Sequence, residues 1–440
     1  MAFSSLRPLS SRNFALVWSS ALISNVGTWM QTVALGTLVT LETHNALWTA
    51  FALAASFIPM GVLAPVGGLL ADRLDRRRFL IGSTIIEAGF AAVLALMVAT
   101  HHDPPILLVL LSFLCGAAGA IGFPSYQSML PDLVEREDLL AAVSLSSAQW
   151  NMGRVVGPAL AGIVIVVWSP AAAFTINALS FGAVVVALCF VRLPHHDRPP
   201  TGEGVLSRLA GGARAASGEP GCRSAIIMIS TVAFIGSPFI GLVSVMAIEG
   251  LHRKAGGPAV LTTAQGIGAV AGALALAPLA KAIGQQRVVT ASLFSLSAAL
   301  ALYGLAPTLP LAALAIVAVG ASYIGVLSGL SAVIQLRAPE EARGRILSLY
   351  MMALGTIYPL GLVVEGAVGQ AIGVRTMTVI SGVVLLATLG LLAVIRPGLF
   401  RALDASTGDP TLDLAVAEVG EIDLAATRNP DVRPTSSLPD

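Results

Sequence analysis

Residues 46–78 read ALWTAFALAASFIPMGVLAPVGGLLADRLDRRR, and their order of apolar and charged residues decides the fold. From position 46 to position 71 no Asp, Glu, Lys or Arg occurs, and four arginines then arrive within six residues, at 73, 76, 77 and 78. A run of that length crosses the hydrocarbon of a bilayer as a helix, because lipid offers the peptide group no hydrogen-bond partner. The arginines mark the side on which the helix emerges.

The same pattern repeats to both ends of the chain. Spans are expected at about 14–40, 46–70, 78–99, 105–129, 140–168, 171–191, 224–249, 258–281, 288–306, 309–335, 344–368 and 375–395. The composition agrees. Of 440 residues 56% are hydrophobic and only 11% charged, against roughly 25% charged in soluble proteins, and mean hydropathy is +0.85. Loops joining alternate spans divide the 25 basic residues unevenly. One side holds 21 of them, while the other holds Arg253, Lys254 and Arg375, and Arg154 lies inside a span. The positive-inside rule therefore places both termini in the cytoplasm. An odd number of spans would destroy the asymmetry. The first span is expected to stay in the mature protein, since no small-residue cleavage site follows Arg7 and Arg12.

Four regions follow: a six-helix bundle over 1–191, a flexible linker over 192–223, a second bundle over 224–396, and a disordered acidic tail over 397–440. The fold class is all-α membrane protein, twelve transmembrane helices in two pseudo-symmetric bundles. Residues 68–78, GLLADRLDRRR, align in offset with residues 277–287, APLAKAIGQQR. Residues 131–145, PDLVEREDLLAAVSL, parallel residues 339–349, PEEARGRILSL. Corresponding loops in two halves are the mark of a duplicated transporter.

On these residues the chain resembles the major facilitator superfamily over about residues 8–396. GLLADRLDRRR is similar to that superfamily's loop signature, with Asp75 where the signature has Gly. In span 5, Gly153, Gly157, Pro158 and Gly162 resemble the motif of the exporting, antiporter branch, with Ala161 replacing one glycine. SNVGTWMQ at 24–31 is similar to bacterial macrolide and siderophore exporters. The resemblance implies a multi-pass protein of a bacterial plasma membrane that works by alternating access. It also implies that Gly68, Asp72, Arg73, Arg76 and Arg77 form a conformational latch, and that spans 1, 4, 7 and 10 line a central cavity.

Polar groups inside spans are expensive in lipid and are candidates for substrate or proton handling. They are Asn25, Trp29 and Gln31 in span 1, Asn151 and Arg154 in span 5, Tyr323 in span 10 and Glu365 in span 11. Asn151, Arg154 and Pro158 stand one helical turn apart and share a face. Arg154 either receives an anionic group of the substrate, exchanges partners with Glu365 or Glu87, or pins two spans together. Gly153, Gly157 and Ala161 recur every four residues and leave a smooth face on which the halves rock.

The expected activity is export of a hydrophobic or amphipathic small molecule by proton antiport. An uptake symporter or a lipid flippase on the same fold stands as the alternative. The partners are a small molecule, a proton and the bilayer. The basic residues form no stripe for nucleic acid. No Gly-rich loop ending in Lys-Ser/Thr is present, so ATP is not the direct driver. All six histidines fall in loops and the three cysteines have no ligand spacing, so neither a metal, a cofactor nor enzyme chemistry is expected.

Overall fold

A computed structural model describes residues 6–191, 205–253 and 256–404. The expected disorder of the tail beyond Asp404 lies outside the described residues, as do 192–204 of the linker and Lys254. Helices α1 (Arg12–Thr43), α2 (Ala46–Arg73), α3 (Arg76–Ala99), α4 (Pro105–Leu133), α5 (Leu139–Val167) and α6 (Pro170–Phe190) form the first half. A short α7 (Val205–Gly218) leads into the second. That half runs α8 (Pro220–Thr231), α9 (Phe239–Val245), α10 (Gly257–Ile283), α11 (Gln285–Leu305), α12 (Leu309–Arg337), α13 (Glu340–Met352), α14 (Tyr358–Ile372) and α15 (Val374–Ile395), and α16 (Pro397–Arg401) ends it. Among the described residues eleven helices are long and apolar enough to cross a bilayer by length and composition. The 32-residue α1 completes the twelve.

Two expected spans are not single smooth helices. α8 and α9 form one crossing, widened at Val232–Gly236 and again at Met246–Gly250 into turns closed by i→i+5 bonds. Ser237 N–H donates to Val232 O at 2.8 Å, and Leu251 N–H to Met246 O at 2.9 Å. α13 and α14 form another crossing, with the same kind of turn at Ala353–Ile357 just before Pro359. Such widened turns collect where a helix must bend near a functional site. The linker also differs from its flexible reading, because α7 is a helix laid on α13, with Gly212 against the backbone of Arg345.

The loop signature's departure at Asp75 has a local explanation. Asp75 has φ −60°, and its carboxylate accepts the Arg78 N–H at 2.8 Å, capping α3. The aligned position in the second half is Gly284, at φ +91°, a left-handed conformation that glycine adopts without strain. The two copies make the same corner by a side-chain cap in one and by a glycine in the other.

Packing repeats with the sequence. α2 lies tightly on α4, and α10, its counterpart, lies tightly on α12. α3 packs on α6 as α11 packs on α15. The halves then meet through α2 against α14 and α5 against α10, themselves a symmetry-related pair. Apolar side chains such as Leu179 and Leu314, each 70% exposed, cover the outside. In water that surface would be a liability, and in lipid it is the proper covering.

At the end of the bundle carrying the arginine-rich loops, Glu219 caps α8. It accepts from the N–H of Cys222, and Arg337 of α12 donates to it at 2.8 Å. Burial pushes the Glu219 pKa up, but the backbone N–H groups of Cys222 and Gly221 and the Arg337 guanidinium outweigh it, leaving a value below the usual one. A depressed carboxylate pKa contributes stability that is present above the unfolded-state pKa and lost as pH falls through the folded-state one. Glu219→Gln is expected to lower the thermal midpoint of the detergent-solubilised protein at neutral pH, by loss of a cap of about 1 kcal/mol. The gap to wild type should close as pH is lowered past the Glu219 pKa. A constant gap would assign the effect to packing.

Candidate functional site

Near the middle of α5, the Arg154 guanidinium stands where the two halves meet. Its central carbon lies over the Trp29 ring of α1 and over the Tyr323 ring of α12, 5.2 Å from each centroid. Nη2 donates to the Tyr323 hydroxyl at 3.4 Å. Further aromatic rings stand around this pair. Phe57 of α2 is tilted on Trp29 at 6.1 Å and stands edge-on to Tyr358 of α14 at 5.6 Å. Phe239 of α9 stands edge-on to Tyr323 at 5.6 Å. Beside the rings lie two small adjoining hollows, both bordered by Arg154, Pro158, Thr262 and Gln265.

The energetics of Arg154 are unbalanced. A guanidinium stays charged in proteins. A charge at the centre of a bilayer costs at least about 2.5–3.5 kcal/mol, while a cation over an aromatic face recovers roughly 0.5–2 kcal/mol. Among the described residues no carboxylate lies within ion-pair reach of it. Glu365 is buried in α14 and faces the Ser381 hydroxyl of α15, within the second half. Glu87 of α3 faces Gly119 of α4, within the first. The structure thus brings Trp29, Arg154 and Tyr323 together and leaves both acids apart from them.

The other expected residues are placed as follows. Gln31 points into the first half, where its Oε1 accepts from Asn177 of α6 at 2.7 Å. Asn25 packs on Gly153, and Trp29 and Val26 pack on Gly157, so the smooth face of α5 meets α1 of its own half. Gly162 alone of these glycines meets the other half, at Ala259 of α10. Arg76 donates to Ser128 O at 3.3 Å and to Asp132 of α4 at 3.4 Å, and Arg77 donates to the carbonyls of Leu188 at 2.6 Å and Cys189 at 2.8 Å. Both arginines therefore tie α3 to neighbours in its own half. Arg73 is exposed and Gly68 has open space around it. The side chains of Asp72 and Asn151 lie outside the described ones.

Sequence reading missed Phe57, Phe239, Tyr358, Thr262, Gln265 and Asp132. An aromatic in an apolar run gives no signal of the rings it will stand beside, although the chain has only five tyrosines and two of them, Tyr323 and Tyr358, belong to this group of rings. Asp132 was legible, because it sits in the repeated PDL loop.

Away from the arginine-rich loops, polar contacts sew the halves together. Thr37 Oγ1 of α1 and Ser244 Oγ of α9 are 3.1 Å apart, His44 Nδ1 meets Glu249 Oε1 at 2.7 Å, and Ala46 N–H donates to Gln370 Oε1 at 2.7 Å. Close contacts of Gly61 with Thr356 and of Gly366 with Ala50 lie along the same seam.

A family model described as transmembrane secretion effector matches residues 3–422. The chain is 23% identical over 381 residues to macrolide efflux protein A of Streptococcus pyogenes, covering 85% of this chain and 93% of that one. It is 26% identical over 401 residues to the multidrug efflux pump Tap of Mycolicibacterium fortuitum, covering 89% and 97%. Over 182 residues, 41% of this chain and 44% of the other, it is 29% identical to a staphyloferrin A transporter of Staphylococcus aureus. Among solved structures, a bacterial homologue of the lysosomal transporter Spinster, inward-facing and unoccupied, superposes with TM-score 0.66 at 13% identity, covering 89% and 97%. A POT family transporter in complex with 5-aminolevulinic acid gives 0.69 at 13%, covering 88% and 97%. At such identities the likeness shows the fold.

Proposed function

Since this chain belongs to the transmembrane secretion effector family of major facilitator transporters, we propose that it exports a hydrophobic or amphipathic small molecule by alternating access, driven by proton entry. The observation that carries the reading is the hollow at Arg154, bounded by both halves and lined by Trp29, Thr262, Gln265 and Tyr323. An apolar, aromatic wall with a few polar groups suits bulky weakly polar compounds better than sugars, which need many fixed hydrogen bonds. The full-length relatives named as a macrolide efflux protein and a multidrug efflux pump support the outward direction. In this reading both termini face the cytoplasm, which the arginine distribution supports. In the same reading the seam at Thr37, His44 and Ala46 lies on the outer side, and Ser244 of that seam also borders the hollow.

Glu365 is the proposed proton carrier. It is 5% exposed, deep in α14, with a hydroxyl rather than a cation before it, and an acid inside a span is a functional candidate for proton handling. Proton and substrate then occupy separate places, coupled through the rigid second half rather than by direct competition.

The test is a compound panel on inside-out vesicles containing an internal pH dye. A transported compound should draw protons out of the vesicle as it enters. Glu365→Gln should lower that proton flux at least tenfold while leaving the protein in the membrane at wild-type level. Full proton flux in Glu365→Gln would remove Glu365 from the coupling. Accumulation of the compounds by intact cells, abolished by an uncoupler, would reverse the direction to uptake.

A further inference from the structure

Among the described residues bordering the hollow Arg154 is the one that carries a charge, and it is short of acceptors. A guanidinium carries five N–H donors. Among the described residues only Nη2 finds a protein acceptor, the Tyr323 hydroxyl at 3.4 Å, a long bond. The Trp29 and Tyr323 rings take up part of the charge but accept no directed hydrogen bond from the remaining donors. The amide of Gln265, on the facing helix α10, borders the same space and makes no protein hydrogen bond among the described residues. An amide N–H₂ and a guanidinium edge on one cavity form a donor-rich pole beside an aromatic wall.

A cationic ligand would meet Arg154 with no carboxylate to compensate, which is a strong exclusion in a low-dielectric site. A carboxylate, by contrast, can take two parallel N–H bonds from one guanidinium and a third from the amide. We infer that the substrates are amphipathic organic anions, carrying a carboxylate on an aromatic or bulky apolar body. The acid group binds between Arg154 and Gln265 and the body lies against Trp29 and Leu53. This rests on the export reading for its direction but not for its chemistry. It also fits the energetics of export, since an anion leaving a cell that is negative inside moves down the membrane potential.

Three naphthalenes differing only in their terminal group test this: 2-naphthylacetate, 2-naphthylacetamide and 2-naphthylethylamine. They are titrated calorimetrically at pH 7 into full-length protein held in nanodiscs of zwitterionic lipid. The acetate should bind at least tenfold more tightly than the amide, and the amine more weakly than both. Arg154→Gln should abolish the difference between the acetate and the amide, and Arg154→Lys should keep part of the preference. An amine bound as tightly as the acetate, no saturable acetate binding, or an acetate preference surviving in Arg154→Gln would each overturn the inference. Should Arg154→Gln not fold, the wild-type ranking decides alone. Flux through vesicles separates this from the export reading. Outward movement of the amine but not the acetate sinks the anion inference and leaves export standing. Inward movement of the acetate in cells does the reverse.

Discussion

A disulfide joining positions 37 and 244 is expected to cut transport to below a tenth of wild type, and a reductant to restore it. Thr37 and Ser244 are both buried, at 3% and 5% exposure, and belong to opposite halves. Their hydroxyl oxygens are 3.1 Å apart, and a small side-chain rotation brings two sulfurs in those places to bonding distance. If the halves alternate as proposed, the hollow at Arg154 opens past this seam only when the contact parts, because packed interfaces switch between discrete arrangements rather than stretch. A covalent bond there holds one arrangement. The experiment is cleanest with Cys189→Ser, which removes the exposed native thiol, while Cys115 and Cys222 are buried. Thr37→Cys and Ser244→Cys made singly should transport normally under oxidant. Undiminished transport by the fully cross-linked double variant would mean that the halves do not separate at this seam.

The location of that seam was beyond the reach of sequence, while the helices themselves were not. Length and hydropathy mark eleven of the crossings among the described residues, because only a continuous apolar run satisfies the backbone in lipid. Which face of each helix looks inward is another matter. In a soluble protein the polar face of a helix declares the outside, but in α2, α4 and α12 apolar residues occupy all faces and the pattern carries no such mark. Gln31 shows the consequence. It stands two residues from Trp29 on a span expected to line the cavity, yet it turns to Asn177 while Trp29 turns to Arg154. Arg154 was legible because a permanent charge in a span is conspicuous at any orientation. Its aromatic partners come from other helices far away in sequence, so no local spacing could have gathered them. The widened turns at Val232–Gly236 and Ala353–Ile357 were hidden for a related reason. Proline at 238 and 359 signals a disturbance, but the extra residue per turn is set by packing against neighbours.

Gly268→Leu is expected to prevent assembly of the second half altogether. A side-chain carbon at Gly268 would fall on the carbonyl oxygen of Val317, one at Gly272 on Ala321, and one at Gly320 on Gln265, so α10 and α12 touch backbone to backbone from both sides. The first half repeats the device, with Gly67 against Ile121 and Gly116 against Ser56 between α2 and α4. Small residues drive association in membranes because close approach gains dispersion contacts that apolar bulk alone does not supply. A leucine at 268 cannot be relieved by turning a neighbouring rotamer, since what it meets is main chain. The helices must separate, at a cost at or beyond the upper end of the roughly 1–3 kcal/mol that overpacking usually carries. The cost spreads to the function, because Gln265 lies one turn from Gly268 and borders the hollow. Size-exclusion profiles of fluorescently tagged, detergent-extracted protein should show Gly268→Leu as aggregate and Gly67→Ala as a peak with a lowered thermal midpoint. Gly68→Ala should be indistinguishable from wild type, since nothing lies within 4 Å of the added carbon. That contrast between adjacent glycines is the discriminating result. The loop-signature resemblance singles out Gly68, whereas the packing singles out Gly67, and a profile in which Gly68→Ala fell and Gly67→Ala stood would refute the backbone-contact account of how these halves hold together.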